Sequence, residues 1–74
     1  MNSLNSVILK DIIDDSGITM TAIAEKLGIS RESLYHKVNG KTEFTASQVM
    51  AVQKILHLSD DARDAVFFGR EREL

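Results

Sequence analysis

Seventy-four residues carry a formal net charge of −2, with 43 % hydrophobic and 27 % charged residues, no proline and no cysteine. That length makes one small domain, expected to span residues 1–74, with a modest core, and the absence of cysteine excludes disulfides, thiol chemistry and cysteine-bearing metal sites. Apolar runs such as Val7-Ile8-Leu9 and Ala65-Val66-Phe67-Phe68 are far too short to span a membrane, and no basic region followed by an apolar stretch opens the chain, so a cytoplasmic protein without a secretory signal is expected.

Several capping side chains lie between Asn2 and Ser6, so a first helix is expected to start between Ser3 and Ser6 and to run to about Asp15. Leu9, Ile12 and Ile13 form its apolar stripe, extended by Leu4, Val7 and Ile8. Asp14 and Asp15 oppose the helix dipole at its end, and Ser16-Gly17 breaks it. Ile18 is a buried lead-in. Thr19 caps a second helix in which Ile23, Ala24 and Leu27 share one face. Gly28 sits where the chain must turn, Ile29 is an apolar plug, and Ser30 is the N-cap of a third helix over residues 31–39. This helix buries Leu34 and Val38 and leaves Arg31, Glu32, Ser33, Tyr35, His36 and Lys37 outside. Gly40 closes it.

A loop follows at residues 41–44, with Phe44 expected to pack on the core as the staple of the next helix. Thr45 and Gln48 have the spacing of a capping box. The helix over residues 46–56 presents Val49, Met50, Val52, Ile55 and Leu56, mostly on one face. Ser59 caps the last helix, and Asp60 and Asp61 suit its positive end. Ala62, Ala65, Val66 and either Phe67 or Phe68 supply its apolar side, Gly69 ends it, and the charged tail at residues 70–74 is expected to be mobile. Five short helices without strand-like alternation predict a compact all-α domain, without a separate sensor or ligand-binding unit and without a cofactor.

Residues 20–40 read as helix, tight turn and second helix. Two short helices crossing steeply need a small residue where their backbones meet, and Ala24, four residues before Gly28, supplies it. The second helix then projects with its N-terminal turn leading. An α-helix fits the major groove of B-DNA, and side chains at such an end reach base edges, while helix amide ends can face phosphates. The pattern Ala24, Gly28, Ile29-Ser30, Leu34 and Asn39-Gly40-Lys41 resembles the Cro/repressor-like helix-turn-helix family of phage and bacterial regulators, over about residues 9–68. The resemblance implies a five-helix lambda-repressor-like domain that binds double-stranded DNA, as a homodimeric repressor on a pseudo-palindromic operator. Two departures stand out. Met20 occupies the start of the first motif helix, where the family usually carries a phosphate-touching glutamine, and Val38 falls one residue later than the commonest second apolar position, which rotates the exposed face slightly.

By that resemblance Arg31, Glu32, Ser33, Tyr35 and His36 face base edges. Arg31 suits bidentate contact with guanine O6 and N7, and Glu32 suits acceptance from cytosine N4. The plainer reading is a solvated helix face with Arg31 and Glu32 in weak local pairs, and for Tyr35 packing at the edge of the core. Thr19, Thr21, Lys37, Asn39, Lys41 and Thr42 are the expected phosphate contacts, although capping accounts for Thr19 and Asn39 and solvation for Lys37. Phe67 and Phe68 point about 100° apart on a helix, so one is expected in the core and the other at a dimer interface.

The acidic balance weighs against a phosphate binder, but it is uneven. Residues 20–45 hold four basic and three acidic residues, and the remainder holds five basic and eight acidic ones. A helix-turn-helix module that binds a protein partner through its acidic faces is therefore the alternative. An enzyme is not expected: His36 and His57 lie on different helices, and no glycine-rich phosphate loop or histidine–carboxylate metal spacing occurs. Neither a metal nor a small-molecule ligand is expected.

Overall fold

Each helix begins behind a short polar side chain that accepts from one of its first free amides. Asn5 precedes α1 (Ser6–Ser16), Thr19 precedes α2 (Met20–Leu27), Ser30 precedes α3 (Arg31–Val38), Thr45 precedes α4 (Ala46–Leu56), and Ser59 precedes α5 (Asp60–Phe67). The computed structural model describes residues 4–69, and among these residues there are five helices and no strand. The expected all-α five-helix fold is the observed one. The mobile tail expected at residues 70–74 lies outside the described residues, and so does the candidate first cap at Ser3.

The starts and stops follow local chemistry. Thr45 and Gln48 form the expected capping box, with Thr45 Oγ1 accepting from the Gln48 amide at 3.2 Å and Gln48 Oε1 from the Thr45 amide at 2.9 Å. Gly28 takes φ 74°, and its amide donates to the Glu25 carbonyl while the Ile29 amide donates to that of Ala24. This is the paired closure that a left-handed residue after a helix allows. His57 closes α4 in the same way at φ 58°, with its amide on the Lys54 carbonyl and the Leu58 amide on that of Gln53. His57 is the one non-glycine residue with positive φ among the described residues.

One core joins all five helices. Leu9 and Ile13 from α1, Ile23 and Ala24 from α2, Leu34 and Val38 from α3, Val49, Val52 and Leu56 from α4, and Val66 and Phe67 from α5 are buried together. Phe44 packs on this core as expected, its ring edge-on to Phe67 at 5.2 Å. The N-terminus of α1 is pinned to α5 by the Asn5 amide, which donates to the Val66 carbonyl at 2.7 Å. Between α4 and α5, Arg63 bonds Gln53 Oε1, and Gln53 Nε2 donates to both the Leu58 carbonyl and Asp60. No helix among the described residues is long and apolar enough to cross a membrane.

Three expected core positions lie outside. Val7 is 70 % exposed and Ile8 is also exposed, because Leu9 and Ile13 face inward and successive residues turn by about 100°, which carries Val7 to the far side of α1. Met50, 57 % exposed, is likewise turned about 100° from Val49. The apolar stripe on α1 is thus narrower than the run of apolar residues.

Candidate nucleic-acid interface

α2 and α3 pack directly on each other. Ala24 on α2 is buried in the core, and its carbonyl accepts from the two amides that follow α2. After the turn, Ser30 Oγ accepts from the Ser33 amide at 3.0 Å and sets the first turn of α3. Leu34 and Val38, four residues apart, then lock α3 into the core and fix which residues it turns outward.

Arg31, Glu32 and Tyr35 are exposed, with Tyr35 at 58 %. Arg31 has no ion-pair partner among the described residues, so its guanidinium is available to a ligand. Tyr35 lies outside the core, its ring edge-on to His36 at 6.2 Å. Ser33 and His36 are half-buried. His36 brings Nε2 to 3.8 Å from Glu32, and its Nδ1 is buried without a hydrogen-bond partner. The imidazole therefore offers only Nε2 outward, and Glu32 competes for it.

The expected phosphate contacts divide into two groups. Thr21, Lys41 and Thr42 are exposed. Thr19 Oγ1 accepts from the Ala22 amide at 3.1 Å, which caps α2 and leaves its hydroxyl proton to donate elsewhere. Lys37 and Asn39 are engaged within the chain. Lys37 Nζ donates to the Glu43 carbonyl at 2.8 Å, and Asn39 Nδ2 donates to the Tyr35 carbonyl at 2.9 Å. The Lys41 and Thr42 amides both donate to the His36 carbonyl, so this loop directs side chains rather than amides outward.

Sequence reasoning passed over Ser30 as anything but a cap. It is exposed beside Arg31, and its hydroxyl, like that of Thr19, accepts from an amide while keeping a proton to donate. The signal was its position at the leading end of α3. Of the two phenylalanines, Phe67 is buried against Phe44, whereas Phe68 is 51 % exposed. Phe67 is thereby withdrawn from any surface contact by its place in the core.

Charge on this side is unspent. Lys26, Arg31, Lys37 and Lys41 form no ion pair among the described residues, whereas Arg63 on α5 is held by Asp60 and Asp64. Lys26, Arg31 and Lys41 thus stay open to an anion, Lys37 keeps its charge while bonded to the Glu43 carbonyl, and a basic residue of the acidic remainder is neutralised at home.

A helix-turn-helix family model matches residues 9–62, from the buried Leu9 into the first turn of α5. Among curated proteins and solved structures, none matches the chain. The matched span covers most of the chain and includes the buried Ala24, the turn at Gly28 and the exposed face of α3. The chain belongs to the Cro/repressor-like helix-turn-helix family of DNA-binding regulators.

Proposed function

We propose that this chain, acting as a single domain in the cytoplasm, is a sequence-specific transcriptional repressor that binds a pseudo-palindromic operator as a homodimer. The observation that carries the reading is the outer face of α3. Arg31, Glu32 and Tyr35 project from a helix held in place by Leu34 and Val38, and Arg31 is unpaired. Arg31 reads a guanine through O6 and N7, and Glu32 accepts from a cytosine amino group. Tyr35, Ser33 and the Nε2 of His36 complete the base-facing set.

Thr21, Lys41 and Thr42, with the hydroxyl protons of Thr19 and Ser30, bind phosphate and set the docking register. Asn39 keeps a further proton beside the same backbone. The dimer forms through Phe68, which borders a shallow groove lined by Phe44, Ala46, Val49, Met50 and Arg63. A protruding ring beside a groove on one face suits a two-fold interface, where each copy fills the other's groove. The two reading helices then meet half-sites roughly 34 Å apart, and occupancy of promoter DNA represses.

Repeated selection from a randomised duplex library at two salt concentrations tests this. A two-fold symmetric site whose affinity falls steeply with salt is the expected result. No enrichment at low salt overturns it. Arg31→Ala separates the reading from a protein-interaction module that uses the acidic helices: a DNA reader loses about 1–3 kcal/mol and relaxes specificity at one base, and such a module is unaffected.

A further inference from the structure

We propose that Lys37 is a positioning residue, which fixes the loop that presents Lys41 and Thr42 to DNA and does not itself grip phosphate. The proposal rests on the DNA-binding reading and concerns how the same interface is held.

The last turn of α3 and the loop after it form a closed set of bonds. The Tyr35 carbonyl accepts from the Asn39 amide and side chain, the His36 carbonyl from the Lys41 and Thr42 amides, and the Lys37 carbonyl from the Gly40 amide. At its far end the chain enters the core through Phe44, edge-on to Phe67. Between these anchors the Glu43 carbonyl would face solvent, and Lys37 Nζ reaches across six residues to bond it at 2.8 Å. The stem of Lys37 is half-buried on the way, and its charge lies at the C-terminal end of α3, where the helix dipole favours a cation.

The loop has little else to hold its middle. Lys41, Thr42 and Glu43 are exposed, and no side-chain hydrogen bond or ion pair other than the one from Lys37 reaches them among the described residues. Their amides are committed to α3 or free, so only side chains are left to face phosphate. Where those side chains stand is set by the backbone at Glu43, and hence by Lys37. An ammonium seated on a carbonyl keeps its charge and adds to the local field, but its direction is spent on the loop.

Two measurements on the full chain test this. The first is binding to a short random-sequence duplex across a salt series, for wild type, Lys37→Met, Lys41→Ala and the double variant. Each lost phosphate contact lowers the slope of log affinity against log salt by about one. Positioning predicts that each single variant weakens binding about fivefold, as expected for one net hydrogen bond, and that the double variant is little weaker than Lys41→Ala, with a further loss of slope well below one, because the charge of Lys37 acts only through the local field. Independent losses that multiply, with a slope reduced by about two, overturn the proposal and restore Lys37 as a phosphate contact. The second is amide exchange in the free protein: the Lys41 and Thr42 amides exchange faster in Lys37→Met, while the α1 amides keep wild-type rates. Unchanged protection in the loop also overturns the proposal. If wild type fails to bind the duplex at low salt, the DNA reading itself falls, and the role of Lys37 toward DNA with it.

Discussion

The two left-handed closures make a paired prediction of opposite sign. His57 ends α4 at φ 58° and ψ 44° with an exposed side chain, and Gly28 ends α2 at φ 74°. An L-residue in this conformation brings its Cβ against the following carbonyl, at a cost of about 1–2 kcal/mol, which glycine avoids. Glycine in turn has more freedom in the unfolded chain, worth about 0.4–1 kcal/mol against it. His57→Gly is therefore expected to stabilise the domain by about 0.5–1 kcal/mol and raise Tm by roughly 2–8 °C for a domain of this size. Gly28→Ala should do the reverse by a similar amount, because a Cβ at Gly28 meets no heavy atom within 4 Å and only the backbone term remains. Thermal and urea unfolding followed by far-ultraviolet circular dichroism measures both. Loss of stability in His57→Gly would mean that the imidazole has a contact that outweighs the backbone strain. A loss of about 3 kcal/mol or more in Gly28→Ala would mean that the turn is crowded, contrary to the open space around it.

Other outcomes follow from burial and bonding. Leu34→Ala removes a fully buried side chain that seats α3 and should cost about 2–5 kcal/mol in urea unfolding, most of the stability of a domain this small. Thr45→Ala removes one half of the α4 capping box and should cost about 1 kcal/mol in the same assay. Phe68→Ser should leave the unfolding of the monomer within about 0.5 kcal/mol of wild type while abolishing self-association in sedimentation equilibrium. Unchanged self-association would remove Phe68 from the dimer interface. Arg31→Lys keeps the charge but loses the planar fork, so affinity for the selected operator should fall about as far as in Arg31→Ala, measured by fluorescence anisotropy.

The motif joins two demands that pull in different directions. On the proposed reading, the outer face of α3 must stay polar and open to bases, so the seat beneath it has to be rigid. Leu34, Val38 and Ala24 supply the rigidity by burial, and the capped turn from Leu27 to Ser30 supplies it by hydrogen bonds. Met20, in place of the family's usual glutamine, is half-buried against the core. It contributes packing and offers no hydrogen bond to phosphate. On the proposed reading, the other phosphate contacts bear more of the docking, which makes the ordering of the loop at residues 41–43 important.

Local bonding is what the sequence by itself determined. Caps at Thr19, Ser30, Thr45 and Ser59, the capping box at Gln48, and the turns at Gly17 and Gly28 each join residues three to five positions apart, so residue type and spacing suffice to find them. The helix-turn-helix was legible for the same reason, since Ala24, Gly28 and Leu34 are spaced by one crossing and one turn. Only the tertiary structure decided between neighbours with equal hydrophobicity. Leu9 is buried and Val7 exposed, Val49 buried and Met50 exposed, Phe67 in the core and Phe68 outside, because the choice depends on where the other helices lie around each element. The same holds for Lys37 in the last turn of α3, which looks like a solvated surface group in the sequence until the fold brings the Glu43 carbonyl within its reach, whereas the bond from Asn39 to the Tyr35 carbonyl is local to the helix end. A side chain's freedom to bind a ligand is settled by what the folded backbone leaves unbonded nearby.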